Sequence, residues 1–136
     1  MTEETIFDKI LSGEIPAHKV YEDEHTFAFL DIAPINKGHT LVIPKTPTRN
    51  LLTANSETFA HVMKTVHMLA PKIKEAVGAD GINIGINNEP AAGQVVFHLH
   101  AHIMPRFEND GYEHWGHIEY KDGEAEETLK KITEKL

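Results

Sequence analysis

At 136 residues, with 40% hydrophobic and 25% charged side chains, the chain has the size and composition of one ordinary globular domain. The absence of cysteine excludes disulfides and thiolate chemistry, and no apolar run approaches membrane-spanning length. A formal charge of −8 argues against broad nucleic-acid binding, which needs Lys and Arg against phosphate, but leaves room for a small phosphorylated ligand held by local donors. The first residues, Met1-Thr2-Glu3-Glu4, lack the basic-then-apolar pattern of a signal peptide, so a cytoplasmic location is expected.

Residues 2–12 predict a short helix. Thr2 can cap it, Glu3 and Glu4 suit its first turn, Ile6, Phe7, Ile10 and Leu11 have helical spacing, and Gly13 can stop it. Residues 18–22 and 26–32 read as two strands of a hairpin turning at Asp23-Glu24. Alternation places Phe27, Phe29 and Asp31 on one face and Ala28, Leu30 and Ile32 on the other. Asp31 sits where the apolar pattern ends, and is either a loop cap or an acceptor for a ligand hydroxyl. Residues 34–38 have turn composition, residues 39–44 form a third strand, and residues 45–49 a polar connection. Ser56 is expected to cap a long helix, with Glu57 in its first turn. Phe59, Val62, Met63, Val66, Leu69, Ile73 and Val77 form one buried stripe along it. Pro71 should kink or split this helix, and Gly78 should end it. Residues 81–87 make a fourth strand, with Ile82, Ile84 and Ile86 toward the core and Asn83, Gly85 and Asn87 opposite.

The stretch from Gly93 to Met104 carries the chemistry. His98, His100 and His102 alternate with apolar residues, so a strand would put the three imidazoles on one face and Phe97, Leu99, Ala101 and Ile103 toward a core, with Pro105 as its end. Three neighbouring imidazoles cannot all be cationic, which favours a neutral ring available as nucleophile or ligand. Two chemistries fit. A metal could join neighbouring histidines, with His39 completing the set if its strand lies alongside, although His98 and His102 are about 13 Å apart at ordinary strand rise. Alternatively, His100 could attack phosphorus through one ring nitrogen while the other donates a hydrogen bond. Backbone N–H groups of Gly93-Gln94-Val95, the Gln94 amide and Asn87 would then meet the phosphate oxygens. Residues 106–121 have no clear period. Residues 124–136 predict a closing helix capped by Asp122, with Leu129, Ile132 and Leu136 on one stripe.

His98-Leu99-His100-Ala101-His102-Ile103-Met104 resembles the signature of the histidine triad (HIT) family, three histidines alternating with apolar residues. The similarity extends to Phe7-Asp8-Lys9-Ile10, Phe29-Leu30-Asp31-Ile32, the Gly38 to Lys45 strand, Asn87 and Gly93-Gln94, as in the Hint-like branch. The resemblance implies an α+β fold: a five-stranded antiparallel sheet with one main helix and short terminal helices. It implies a single domain over residues 1–136, its core at about 5–107 and a C-terminal extension at 108–136, and a homodimer whose sheets join into ten strands. It also implies hydrolysis of purine nucleoside 5′-monophosphate derivatives, phosphoramidates above all, through a covalent nucleotidyl-histidine. His100 would be the nucleophile, His102 would contact phosphate and leaving group, and His98 and His39 would orient the ladder. Asn87, Gly93, Gln94 and the Val95 backbone would bind phosphate, Asp31 the ribose, and Phe7, Ile10, Phe29 and Ile32 the purine. No divalent metal, nucleic acid or membrane is required, with zinc kept as the alternative cofactor. The alternative functions are cleavage of dinucleoside polyphosphates and nucleotide binding with little turnover. Two residues depart from the family pattern: Val95 replaces a hydroxyl residue and Pro47 a histidine. Trp115 is similar to a tryptophan near the Hint C-terminus.

Overall fold

The computed structural model describes residues 3–136. Chain order is α1 (Ile6–Leu11), β1 (Lys19–Glu22), β2 (Thr26–Leu30), β3 (Thr40–Pro44), α2 (Ser56–Val77), β4 (Gly81–Gly85), a 3₁₀ turn (Pro90–Ala92), β5 (Ala101–Arg106) and α3 (Glu124–Thr133). The five strands form one antiparallel sheet in the order β1-β2-β3-β5-β4. The predicted α+β architecture is therefore the observed one.

Sheet alternation sorts the apolar residues into two layers. Ala28 of β2, Val42 of β3, and Leu99, Ala101 and Ile103 face α2, where Val62, Val66, Leu69 and Ile73 complete the main core. A fully buried side chain of this size contributes about 1.5–3 kcal/mol, so this layer supplies most of the driving force. Thr65 joins the stripe, and its hydroxyl lies 2.8 Å from that of Thr26, so the two buried groups satisfy each other. On the opposite face Phe27, Phe29, Leu41 and Ile43 pack with Phe7 of α1. The histidines lie on this second face.

Element ends differ from the sequence reading for local reasons. Thr2 lies outside the described residues. Thr5 caps α1 instead, in a capping box: its side chain accepts from Phe7 and Asp8 N–H while Asp8 accepts from the Thr5 N–H at 2.8 Å. Asn55 rather than Ser56 caps α2, its Oδ1 accepting from the Thr58 N–H at 2.8 Å. Pro71 does not split α2, because it sits on the exposed side, where the carbonyl it leaves without a donor can face water. Gly78 ends α2 in the left-handed conformation, as predicted. β2 stops at Leu30, leaving Asp31 and Ile32 in the following loop.

The strand expected to carry all three histidines, entered through the Gly93-Gln94 turn, begins only at Ala101, and Pro105 lies inside it, opposite Ile82. The proline is tolerated because pairing with β3 stops at Ile103, so beyond that point only β4 needs hydrogen bonds from β5. Phe97 does not join the core; its ring lies beneath the Arg49 guanidinium, 4.3 Å from its carbon to the ring centroid. Ile84 is exposed because β4 is an edge strand that α2 covers only in part. Asp122 does not cap α3: the N-cap is Gly123 and makes no side-chain bond. The α3 stripe of Leu129, Ile132 and Leu136 is exposed. No helix among the described residues is long and apolar enough to cross a membrane.

Gly38 sets how closely the loop before β3 approaches α2. Its φ is +93°, and a Cβ there would lie 2.9 Å from Val77 Cγ1 and 3.3 Å from a Pro105 ring carbon. Gly38→Ala is expected to destabilise the fold by about 1–3 kcal/mol, whereas Gly81→Ala, whose Cβ would meet nothing within 4 Å, should cost less than about 1 kcal/mol. Urea unfolding midpoints of the two variants check this, and equal losses would refute it.

Candidate active site

The histidine ladder stands at the junction of β5, β3 and the loops before them. His98, His39 and His100 are buried, with relative exposures of 0%, 3% and 6%. The ring centroids of His100 and His102 are 5.0 Å apart, and those of His39 and His102 are 5.2 Å apart. His39 enters the cluster because Thr40 and Leu41 pair with Ile103 and His102. Phe7 meets the His100 ring edge-on at 5.0 Å and the Phe29 ring at 5.5 Å, so α1 props the ladder from its core side.

Hydrogen bonds fix where each proton sits. The Ile35 N–H donates to His39 Nδ1 at 3.0 Å, so the proton of a neutral His39 is on Nε2. That Nε2–H donates to His102 Nδ1 at 2.9 Å, which puts the proton of His102 on its own Nε2. His102 Nε2 is buried and has no protein partner among the described residues. His100 Nδ1 donates to the His98 carbonyl at 2.7 Å, leaving the His100 Nε2 lone pair bare. His98 Nε2 donates to the Pro44 carbonyl at 2.9 Å and so ties the first rung to β3. One ring thus offers an electron pair and its neighbour a proton.

The electrostatics keep this order neutral. Burial pushes the pKa of His39, His98 and His100 below the usual histidine value. His102 is pushed down to about 4, first by burial and then by repulsion from the protonated forms of His100 and His39.

Asp31, His39 and His102 bring three potential metal-ligand atoms within 4.8 Å of one another, with Asp31 Oδ2 3.6 Å from His39 Nε2. This donor set does not fit a zinc ion. A neutral imidazole bound to metal through Nε2 carries its proton on Nδ1 and donates it outward. His39 Nδ1 instead accepts from a backbone N–H.

The other predicted residues fall on two sides of the ladder. On the β2 side Phe7 and Phe29 are buried, Ile10 is half-buried against them, and Ile32 is 90% exposed in the loop beside Asp31. Because β2 ends at Leu30, strict alternation no longer sets the side on which Ile32 lies relative to Phe29. Asp31 Oδ1 accepts from the Ala33 N–H at 2.8 Å, so this residue is in part the loop cap its position suggested. On the β4 side Asn87 and His102 line one cleft of about 670 Å³, with Ile84, Met104, Tyr112 and Trp115 around it. Gly93 has a φ of +93°, which favours glycine, although a Cβ there would meet Asn87 Nδ2 only at an ordinary contact distance of 3.6 Å. Val95 is 81% exposed at the loop tip.

Gln94 is a correction. Its side chain cannot offer its amide to a phosphate, because Nε2 donates to the carbonyls of Arg49 (2.7 Å) and Val96 (3.1 Å). Its Oε1 accepts from the Glu89 N–H (2.8 Å) and from Asn50 Nδ2 (3.0 Å). It is a buried clip for the loop. The sequence reading missed its partners Arg49, Asn50 and Glu89. It also missed Ile35, which acts through a backbone N–H that no side-chain pattern announces.

A family model described as "HIT domain" matches residues 12–109. An uncharacterised HIT-like protein of Methanocaldococcus jannaschii is 47% identical over 127 residues, 93% of this chain and 97% of that protein. Adenylylsulfatase HINT3 of Arabidopsis thaliana is 41% identical over 105 residues, 77% of this chain and 53% of that protein. Among solved structures, a HIT family member from Bacillus subtilis matches with a TM-score of 0.90 at 40% identity, covering 98% of both chains. A histidine triad nucleotide-binding protein from Candida albicans matches with a TM-score of 0.85 at 30% identity, covering 98% of this chain and 97% of that one.

Two outcomes follow from the proton order. Imidazole ¹⁵N spectra near pH 7 should show the Nδ1–H tautomer for His100 and the Nε2–H tautomer for His39, His98 and His102; an Nδ1–H form of His102 would break the relay. Histidines whose folded pKa lies below the unfolded value of about 6.5 take up protons more readily when unfolded. Thermal stability should therefore be level above about pH 6.5 and fall as pH drops from there toward 4. His102→Gln should flatten that slope; a midpoint independent of pH across this window would contradict the assignment.

Proposed function

This chain belongs to the histidine triad family, and from that premise we propose that it hydrolyses nucleoside 5′-monophosphate derivatives through a covalent nucleotidyl-histidine. The observation that carries the reading is the paired proton order: a bare Nε2 on His100 beside a protonated Nε2 on His102. In the first step His100 Nε2 attacks phosphorus. The bond from phosphorus to the leaving group breaks, and His102 Nε2–H gives its proton to the departing nitrogen or oxygen. In the second step His102, now bare at Nε2, takes a proton from water. The hydroxide formed attacks phosphorus, freeing His100 and a nucleoside monophosphate. Nδ1 of His100 becomes more acidic as the phosphoryl bond forms, and the His98 carbonyl stabilises the positive charge on the ring.

The surroundings fit a nucleotide laid across the sheet. Asp31, with one carboxylate oxygen still without a hydrogen bond to the described residues, faces the ribose hydroxyls, and Phe7, Ile10, Phe29 and Ile32 form the apolar ground for a purine. Asn87 and the Val95 N–H receive the phosphate; the Gly93 and Gln94 N–H groups already donate to the Pro90 and Glu89 carbonyls, at 3.0 and 3.2 Å, and shape the turn instead. The cleft beyond His102 and Asn87 receives the leaving group. A phosphoramidate suits the site, because its leaving nitrogen needs the proton that His102 carries. That Adenylylsulfatase HINT3 is a relative supports an adenylyl group as the transferred part. The exposed apolar residues of the C-terminal extension, Trp115 and Ile118 at 96% and 92% exposure among them, support a homodimer in which a second copy covers them. No step needs a metal.

The test is turnover of adenosine phosphoramidate with a chelator in excess. Wild type should be fully active and form an acid-labile, nucleotide-labelled protein. His100→Ala should lose turnover by about 10³-fold or more together with the label, while AMP binding persists. Turnover that survives the substitution, or that the chelator removes, would refute the mechanism. A strong preference for a diadenosine polyphosphate over the phosphoramidate would overturn the proposed substrate class.

A further inference from the structure

Glu89 holds a backbone conformation that side chains other than glycine avoid. Its φ and ψ are 76° and 158°, a region open in practice to glycine alone. It stands four residues before Gly93. Such an outlier persists only where the surroundings over-determine it, and here they do. The carboxylate receives a two-pronged grip from Arg49, with Nε to Oε2 at 2.7 Å and Nη2 to Oε1 at 2.8 Å. Asn50 Nδ2 adds a third bond to Oε2 at 2.7 Å. The Glu89 N–H donates to Gln94 Oε1 at 2.8 Å, and its carbonyl accepts from the Ala92 and Gln94 N–H groups at 3.0 and 3.2 Å. The Arg49 guanidinium carbon itself rests over the Phe97 ring, 4.3 Å from its centroid.

We propose that the Arg49–Glu89 pair is a latch that holds the phosphate-side loop in its binding shape, and that both are positioning residues for the nucleotidyl transfer. This rests on the reading of the Val95 N–H, beside Asn87, as the phosphate cradle, with Gly93 and Gln94 as the turn that presents it. The latch does not touch the phosphate. It forces the chain into the strained turn at Glu89, which sets the 3₁₀ turn Pro90–Ala92 and the left-handed Gly93, φ +93°, that follow. Donors fixed before the substrate arrives need no reorganisation as charge builds on the phosphoryl oxygens. The grip requires the planar fork of arginine, because lysine offers one point charge and cannot hold both carboxylate oxygens in one plane.

The test compares Glu89→Ala, Glu89→Gly, Arg49→Lys, Arg49→Ala and the Arg49→Ala/Glu89→Ala double variant in the full chain. Turnover of adenosine phosphoramidate and thermal midpoint are measured for each. Glu89→Ala loses the latch and keeps the strain, so kcat/KM should fall by about 10²-fold, mainly in kcat. Glu89→Gly loses the latch but relieves the strain, and should recover about tenfold of that loss. Arg49→Lys should fall with Arg49→Ala, and the double variant should be no worse than the worse single, because the pair acts as one unit. A kcat/KM within twofold of wild type in Arg49→Ala and Glu89→Ala would overturn the latch, even if their midpoints drop, since that is the signature of a merely structural ion pair. Should wild type neither turn over the phosphoramidate nor bind AMP, the proposed function fails separately. The latch is then judged by amide hydrogen exchange at residues 93–95: faster exchange in Glu89→Ala and Arg49→Lys than in wild type supports it, and equal rates overturn it.

Discussion

One backbone N–H orders the site. Ile35 donates to His39 Nδ1, and from that single bond the position of every proton along His39 and His102 follows. The loop carrying Ile35 is held in turn from outside the histidines. Gly38 lets it pass close to Val77, and Asn36 Nδ2 donates to the Pro105 carbonyl at 2.8 Å and to Asp110 at 2.9 Å. A turn of ordinary composition thereby decides that His102 presents a proton rather than a lone pair. The same bond makes His39 Nδ1 an acceptor, which is not the state of a neutral imidazole bound to metal through Nε2. An imidazole that accepts at Nδ1 is set up for proton transfer, and the two uses of one ring exclude each other.

The sheet separates two demands that would conflict on one face. Its α2 side is dry and aliphatic, and there the sequence period was easily read: Val62, Val66, Leu69 and Ile73 recur because burial requires it. Its other side joins aromatic packing to imidazoles, so the histidines are desolvated by the residues that support them. That burial lowers their pKa values and keeps them uncharged near neutral pH. Packing by Phe7 is therefore part of the chemistry. It packs T-shaped against His100 and His98 while leaving His100 Nε2 free of any hydrogen bond to the described residues.

The fold and the ladder were legible because they depend on period. Alternation of His98, His100 and His102 put three rings on one face whether or not all of them lay within a formal strand, and only His102 does. The loop was not legible, because its order comes from contacts across the sequence. Gln94 looked like a donor to phosphate when read beside Gly93, but Arg49 and Val96 take its amide hydrogens and Asn50 and Glu89 its oxygen. Nothing within a few residues of Gln94 announces Arg49. Glu89 hides for another reason: glutamate is a poor indicator of a positive φ, so its strain shows only in the backbone. The cap shifts from Thr2 to Thr5 and from Ser56 to Asn55 have a simpler cause, since neighbouring residues of similar chemistry compete for one position and side-chain geometry selects between them.

Anion recognition in so acidic a chain has one further consequence. The sequence contains two arginines, and both are already paired, Arg49 with Glu89 and Arg106 with Asp110. Neither brings a free positive charge to the site, and its histidines are held neutral. On the proposed reading a phosphate there is met by dipoles: the Val95 N–H, the Asn87 amide and the His102 N–H. Dipoles attract weakly at a distance and strongly at contact, so such a site gains little from steering and much from exact placement. The two arginines serve placement in the same way. One grips the strained turn before the glycine, and the other, through Asp110, holds the chain that follows β5, so the fixed charges of the protein are used to aim its neutral donors.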